Sequence, residues 1–165
     1  MKKLNRIVNV KFKEDKIYFN QISISLGMGI DKWLNENSST RYEFENYSKN
    51  YPQAERMKFN EISGISIYLE ERIITSINVF PFIYDSSPSF KGEIYINDKL
   101  LTTPFLANDI EEYLPDIKIE KPIHKYWDRF YAHESVEYLV NDKVKIVVSM
   151  DRQTKYVGCI SLNEK

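Results

Sequence analysis

Lys16-Ile17-Tyr18-Phe19-Asn20 and Glu93-Ile94-Tyr95-Ile96-Asn97 are one short phrase written twice in the same chain. In each, apolar residues alternate and lead into an asparagine turn, the pattern of a hairpin strand. A second strand-like run follows in both places, Ile22 to Leu26 and Lys99 to Thr102. Self-similarity of this kind decides the fold before any local propensity does.

Working outward, each phrase is followed by a short helical pattern. Ile30, Trp33 and Leu34 have the i, i+3, i+4 spacing that puts three large side chains on one helical face, and Ile110, Tyr113 and Leu114 repeat it. Asp31 and Glu111 match as acidic residues expected in the first turn, where the helix dipole favours them. Asn108 or Asp109 is the expected N-cap of the second helix, and Pro115 its stop.

Both halves then close on a meander. Ile65, Ile67 and Leu69 alternate, Glu70-Glu71-Arg72 turns, and Ile73, Ile77 and Val79 return. Val144, Ile146 and Val148 alternate, Ser149 to Lys155 turns, and Tyr156, Ile160 and Leu162 return with the spacing of Ile73, Ile77 and Val79. Asn141-Asp142 makes a further tight turn before Lys143.

The sequence therefore predicts an α+β protein of two diverged β-rich repeats, each a hairpin, a short helix and an antiparallel meander. Residues 1–83 form the first repeat, 84–89 a connector rich in turn-formers, and 90–165 the second. One such unit leaves a sheet face bare, so the two are expected to pack as one compact pseudo-two-fold body.

Composition narrows the function classes. Lys plus Arg number 23 against 24 Asp plus Glu, a formal charge of −1, which offers no overall basic face for nucleic acid. Aromatic residues reach 14%, with 12 Tyr and 9 Phe. The single cysteine, Cys159, permits no intrachain disulfide and suits a reducing compartment. Met1-Lys2-Lys3 opens like a signal peptide, but Leu4 to Asn9 breaks any apolar core, and no run approaches the roughly 18 apolar residues of a membrane span. A cytoplasmic protein with no membrane segment is the expectation.

Motifs for chemistry are missing. Gly27-Met28-Gly29 lacks the rest of a phosphate loop, and no nucleophile elbow or zinc-protease helix occurs. No catalytic residue, metal or cofactor is assigned. The nearest approach is His124 to Glu134, where His124, Asp128 and His133 are chemically suited to a divalent ion but fit no standard spacing. Cys159, inside the run Tyr156 to Leu162, reads as a small buried hydrophobe. Between Ser38 and Ala54, by contrast, Tyr42, Phe44, Tyr47 and Tyr51 are interleaved with Arg41, Glu43, Glu45 and Lys49. Tyrosine and arginine bring large contact area with a polar tip and are enriched at protein interfaces. Tyr126, Trp127 and Arg129 are the corresponding candidates in the second half.

The second half resembles a small bacterial domain of unknown function that recurs near polymorphic toxin systems. The shared features are Ile94, Ile96 and Asn97 in the hairpin, Leu114-Pro115 after the helix, Trp127-Asp128, and the closing strands from Val144 to Leu162. That pattern carries a glycine shortly after Trp-Asp, where this chain has Arg129-Phe130-Tyr131-Ala132. The resemblance implies a non-enzymatic immunity protein that binds and neutralises a cognate toxin. The alternatives are a small-ligand or metal-dependent enzymatic domain with a cleft between the repeats, and a homo-oligomer joined through open strand edges.

Overall fold

The computed structural model describes residues 9–13, 16–19, 22–48, 50–60, 62–81, 89–102, 104–114, 118–119, 133–151 and 153–165. In order these form β1 (Asn9–Lys13), β2 (Lys16–Phe19), β3 (Ile22–Ser25), α1 (Ile30–Glu36), β4 (Tyr42–Ser48), β5 (Tyr51–Phe59), β6 (Ile65–Glu70) and β7 (Ile73–Val79). Then follow β8 (Glu93–Ile96), β9 (Lys99–Leu101), α2 (Ala107–Glu111), β10 (Lys118–Ile119), β11 (His133–Leu139), β12 (Val144–Asp151) and β13 (Val157–Glu164). The fold is α+β.

The strands make two sheets. The smaller has the order β3-β2-β1-β8-β9, and the larger runs β10-β11-β12-β13-β7-β6-β5-β4. Every described pairing is antiparallel except β1 with β8, which is parallel. Alternation decides which side chains turn inward. Val10, Phe12, Ile17, Phe19, Ile24, Ile94 and Ile96 of the small sheet join Met57, Ile67, Leu69, Ile77, Val79, Ile146, Val148, Ile160 and Leu162 of the large one in a single core. Each such side chain contributes about 1.5–3 kcal/mol relative to exposure. Phe19 meets Phe59 with ring centroids 5.6 Å apart, so the two sheets touch directly.

Helix α1 pins one end of this core. Ile30 and Trp33 are buried, and the Trp33 indole N–H donates to the Ser23 carbonyl at 3.0 Å, tying the helix to β3. The helix stops where the Asn37 side-chain amide and backbone N–H both turn back to the Trp33 carbonyl. The second helix departs from expectation. Its N-cap is Leu106, whose N–H donates to the Asp109 carboxylate at 2.9 Å, so Asp109 works from the third helical position and not as the cap. The helix consequently begins early and closes at Glu111. Glu111 thus stands in its last turn, and Tyr113 and Leu114 follow in the turn beyond, Leu114 buried and Tyr113 half-buried. Pro115 lies outside the described residues.

The closing hairpins carry matching irregularities. In β6–β7 the register steps from Tyr68↔Ser76 to Leu69↔Ile74, leaving Thr75 as the extra residue. In β12–β13 it steps from Ser149↔Cys159 to Met150↔Val157, leaving Gly158. A bulge of this kind reverses the facing of what precedes it. Ile73, expected inside, is therefore 41% exposed, and Ile74 fills the buried place. The β6–β7 turn is the two residues Glu71-Arg72, both at positive φ (50° and 66°), as a type I′ hairpin requires. Asn97 and Asp98 do the same between β8 and β9, at 49° and 64°.

Candidate functional site

Four strands end the two sheets, and they differ in length. Strands β3, β9 and β10 have 4, 3 and 2 residues, whereas β4 has 7. Natural sheets blunt their edges with short strands, lysine or proline. Within Tyr42-Glu43-Phe44-Glu45-Asn46-Tyr47-Ser48 there is no lysine and no proline. The segment between Ser38 and Ala54, whose aromatic residues the sequence marks as interface candidates, is thus largely the β4–β5 hairpin, with β4 at the edge of the larger sheet.

Register fixes what this edge presents. Tyr42 stands opposite Phe59 and Phe44 opposite Met57, so both rings lie on the core side. Phe44 is half-buried, Tyr42 is 37% exposed, and their centroids are 5.3 Å apart in an edge-to-face contact. The Arg72 guanidinium lies 4.7 Å from the Phe44 centroid and donates to Asp31 of α1 and to Glu55 of β5, the latter at 3.1 Å. Arg72 thus braces helix, hairpin turn and strand beneath the aromatic rim.

On the outer side, Glu45 accepts hydrogen bonds from Lys58 at 2.7 Å and from Arg56. Those bonds, Lys58 first and Arg56 second, hold the Glu45 carboxyl below its ordinary 4.5. A carboxylate with a depressed native pKa stabilises the fold fully above its unfolded value and loses that contribution as pH falls through the native one. Carboxyl-selective NMR titration should therefore show Glu45 protonating below pH 4.5, and Lys58→Met with Arg56→Met should bring its midpoint back up.

Backbone polarity follows from one bond. The Asn60 N–H donates to the Arg41 carbonyl at 3.1 Å, making Arg41/Asn60 a bonded pair. By alternation Glu43/Lys58 and Glu45/Arg56 are bonded too, and the N–H and C=O groups of Tyr42, Phe44 and Asn46 point away from β5. No described strand receives them.

The remaining sequence candidates divide. Tyr47 and Tyr51 lie on β4 and β5 by backbone, but their side chains fall outside what is described. Tyr126, Trp127 and Arg129 lie outside the described residues altogether, as do His124 and Asp128. His133 opens β11, its side chain likewise not described, and the Glu134 carboxylate pairs with Lys155 Nζ at 2.5 Å. Among the described residues no group of three or more His, Cys, Asp or Glu is placed to hold a metal.

Cys159 was expected to be a small buried hydrophobe. It is half-buried on the face of the larger sheet away from Ile160 and Leu162, 3.2 Å from the Ser161 hydroxyl, with burial pushing its thiol up to about 11. A thiol so rarely ionised is a poor nucleophile.

Described residues line at least two surface clefts. One of 470 Å³ is lined within the first half, by Glu43, Arg56, Lys58, Asn60, Ser66 and Phe80 among others. The other, of 810 Å³, brings Leu26 and Gly27 against Asn141, Lys143, Val144 and Glu164, and so does join the two halves. Glu134 is not among its lining residues. The near-neutral chain also segregates charge locally: Lys11, Lys13 and Lys16 share the outer face of the smaller sheet with Tyr18, Tyr95 and Glu93, and Lys11 Nζ lies 5.1 Å from the Tyr95 ring.

The described residues thus make a two-sheet α+β protein whose longest edge strand carries an aromatic and acidic rim. Compared with protein-family models, curated protein sequences and solved structures, the chain matches none of them. No helix among the described residues is long and apolar enough to cross a membrane.

Proposed function

We propose that this chain is a non-enzymatic protein-binding module, an immunity protein that neutralises a cognate bacterial toxin by covering it, in the cytoplasm of the producing cell. The observation that carries this is the edge strand β4, long, without lysine or proline, and bearing Tyr42 exposed beside Phe44. An aromatic rim on a rigid sheet supplies contact area at low entropic cost, which suits a standard-size interface.

The proposal includes two repeats related by a pseudo-two-fold axis. Several observations support it. The larger sheet reads outward from its β7–β13 centre as β7-β6-β5-β4 on one side and β13-β12-β11-β10 on the other. At that centre Ile77 pairs with Leu162, Asn78 with Ser161 and Val79 with Ile160. Since Ile77 corresponds to Ile160 and Val79 to Leu162, this reciprocity is what a two-fold axis through Asn78 and Ser161 demands. The bulges at Thr75 and Gly158 correspond, as do the isolated bridges Gly29↔Ile73 and Leu106↔Tyr156. Against that background β4 and β10 occupy equivalent places, one of 7 residues and one of 2.

Co-expression with the product of the adjacent upstream gene tests the binding. The expected result is one-to-one capture of that protein's C-terminal domain, reduced at least about tenfold by Tyr42→Ala with the circular dichroism spectrum unchanged, the loss typical of an aromatic anchor. Capture that ignores Tyr42→Ala would move the interface elsewhere.

A further inference from the structure

Resting on the protein-binding proposal above, we infer that the partner docks by adding an extended strand to β4, and that this strand alternates apolar residues with lysine or arginine. The N–H and C=O groups of Tyr42, Phe44 and Asn46 point outward with no described strand on that side, which is the template strand addition uses. Side chains on one face of the incoming strand would lie along Tyr42 and Phe44. Those on the other face would lie along Glu43 and Glu45.

Charge selects the occupant. Glu43 is exposed, and its described contact is a 3.4 Å hydrogen bond from the Asn60 amide, so a basic residue on the added strand meets it directly. Glu45 has Oε1 bonded to Lys58 and Oε2 to Arg56, both on β5, so Glu43 is the carboxylate that selects the charge of the added strand. A second copy of this chain fits badly in three of its registers. Any antiparallel β4–β4 register centred on Glu43, Phe44 or Glu45 sets a glutamate directly across from a glutamate, an arrangement that destabilises cross-strand pairing. Glu43 thus invites a basic residue, and with Glu45 it discourages self-association in those registers, which natural edges must avoid.

Two arms test this. In the first, a nine-residue peptide alternating valine and lysine is added to the full chain, and backbone amide exchange is followed by NMR. The amides of Tyr42, Phe44 and Asn46 should gain at least about tenfold protection, as ladder hydrogen bonds confer, and a valine–glutamate peptide should give none. Unchanged amides at saturating peptide, equal protection by both peptides, or dimerisation of the chain through β4 would overturn the inference. In the second arm, Asn46→Pro and Asn46→Ala are compared in the partner capture. Proline removes an N–H that faces away from β5, so the sheet itself tolerates it. Capture lost with proline and kept with alanine supports strand addition. Capture lost with Tyr42→Ala but kept with Asn46→Pro overturns strand addition and leaves the binding proposal intact. Protection by the valine–lysine peptide without any partner capture supports the strand-accepting edge and removes the immunity proposal instead.

Discussion

Trp33→Ala should lower the free energy of unfolding by about 3–5 kcal/mol, the range for removing a large buried aromatic side chain. The side chain is 1% exposed and meets Phe59 edge-on at a centroid distance of 6.0 Å. It also carries the hydrogen bond to the Ser23 carbonyl. The truncation therefore opens a cavity where α1, β3 and β5 converge and strips a partner from a carbonyl. Trp33→Phe separates the two contributions. It keeps most of the packing and should cost about 1–3 kcal/mol, chiefly the unmade hydrogen bond. Urea denaturation of the three proteins is the measurement, and equal stabilities for Trp33→Ala and the wild type would contradict the placement of α1.

Gly64→Ala should be the other severe substitution, although it adds only a methyl group. Gly64 sits at φ +77°, and a Cβ there would stand 2.0 Å from the Phe90 backbone nitrogen and 2.6 Å from the Ser89 carbonyl carbon. The left-handed backbone alone costs roughly 1–2 kcal/mol for an L-residue. Relief of the clash must move Ser89 and Phe90 bodily, which breaks the Phe90 N–H to Phe80 carbonyl bond of 2.7 Å and unseats the buried Phe90 ring. Gly29 is the control. It has no atom within 4 Å of the added Cβ and an ordinary φ of −69°, so Gly29→Ala should cost no more than about 1 kcal/mol, as expected for alanine at an N-cap. A thermal melt that ranks the two glycines the other way would show that segment 89–90 does not pass over Gly64.

Much of the architecture was legible because its causes are local. Alternation in Ile65, Ile67 and Leu69 and in Val144, Ile146 and Val148 named strands that do bury those residues. Ile30, Trp33 and Leu34 likewise named α1. What escaped was set by strand pairing and by side-chain hydrogen bonds, which apolar spacing does not register. Strand β1 does alternate Val10 and Phe12 with Asn9, Lys11 and Lys13, a short strand signal, but its place between β2 and β8 comes from contacts with both halves. Ile73 faces outward only because Thr75 bulges, and nothing in the local apolar pattern announces that. The start of α2 was set by the reach of the Asp109 side chain to Leu106, which a count of apolar spacings does not register.

The binding edge was half legible. Tyr42 and Phe44 stood out as interface residue types. The alternation of Tyr42, Phe44 and Asn46 with Glu43 and Glu45 was itself a period-two signal for a strand, one that the interface reading of the aromatic residues passed over. That β4 ends its sheet depends on the order of eight strands, and no segment of sequence carries that information. Arg72 was missed for the same reason: it is a turn residue in sequence, and becomes a brace only when Asp31, Glu55 and Phe44 gather round it.

The most direct test of the proposed role is survival. The C-terminal domain of the upstream gene product is induced in cells that carry this chain, the Tyr42→Ala variant, or an empty vector. The account predicts arrest with the empty vector, growth with the wild-type chain, and weakened protection by Tyr42→Ala at equal expression. Arrest of cells holding the folded wild-type chain, at the same rate as the empty-vector cells, would contradict it.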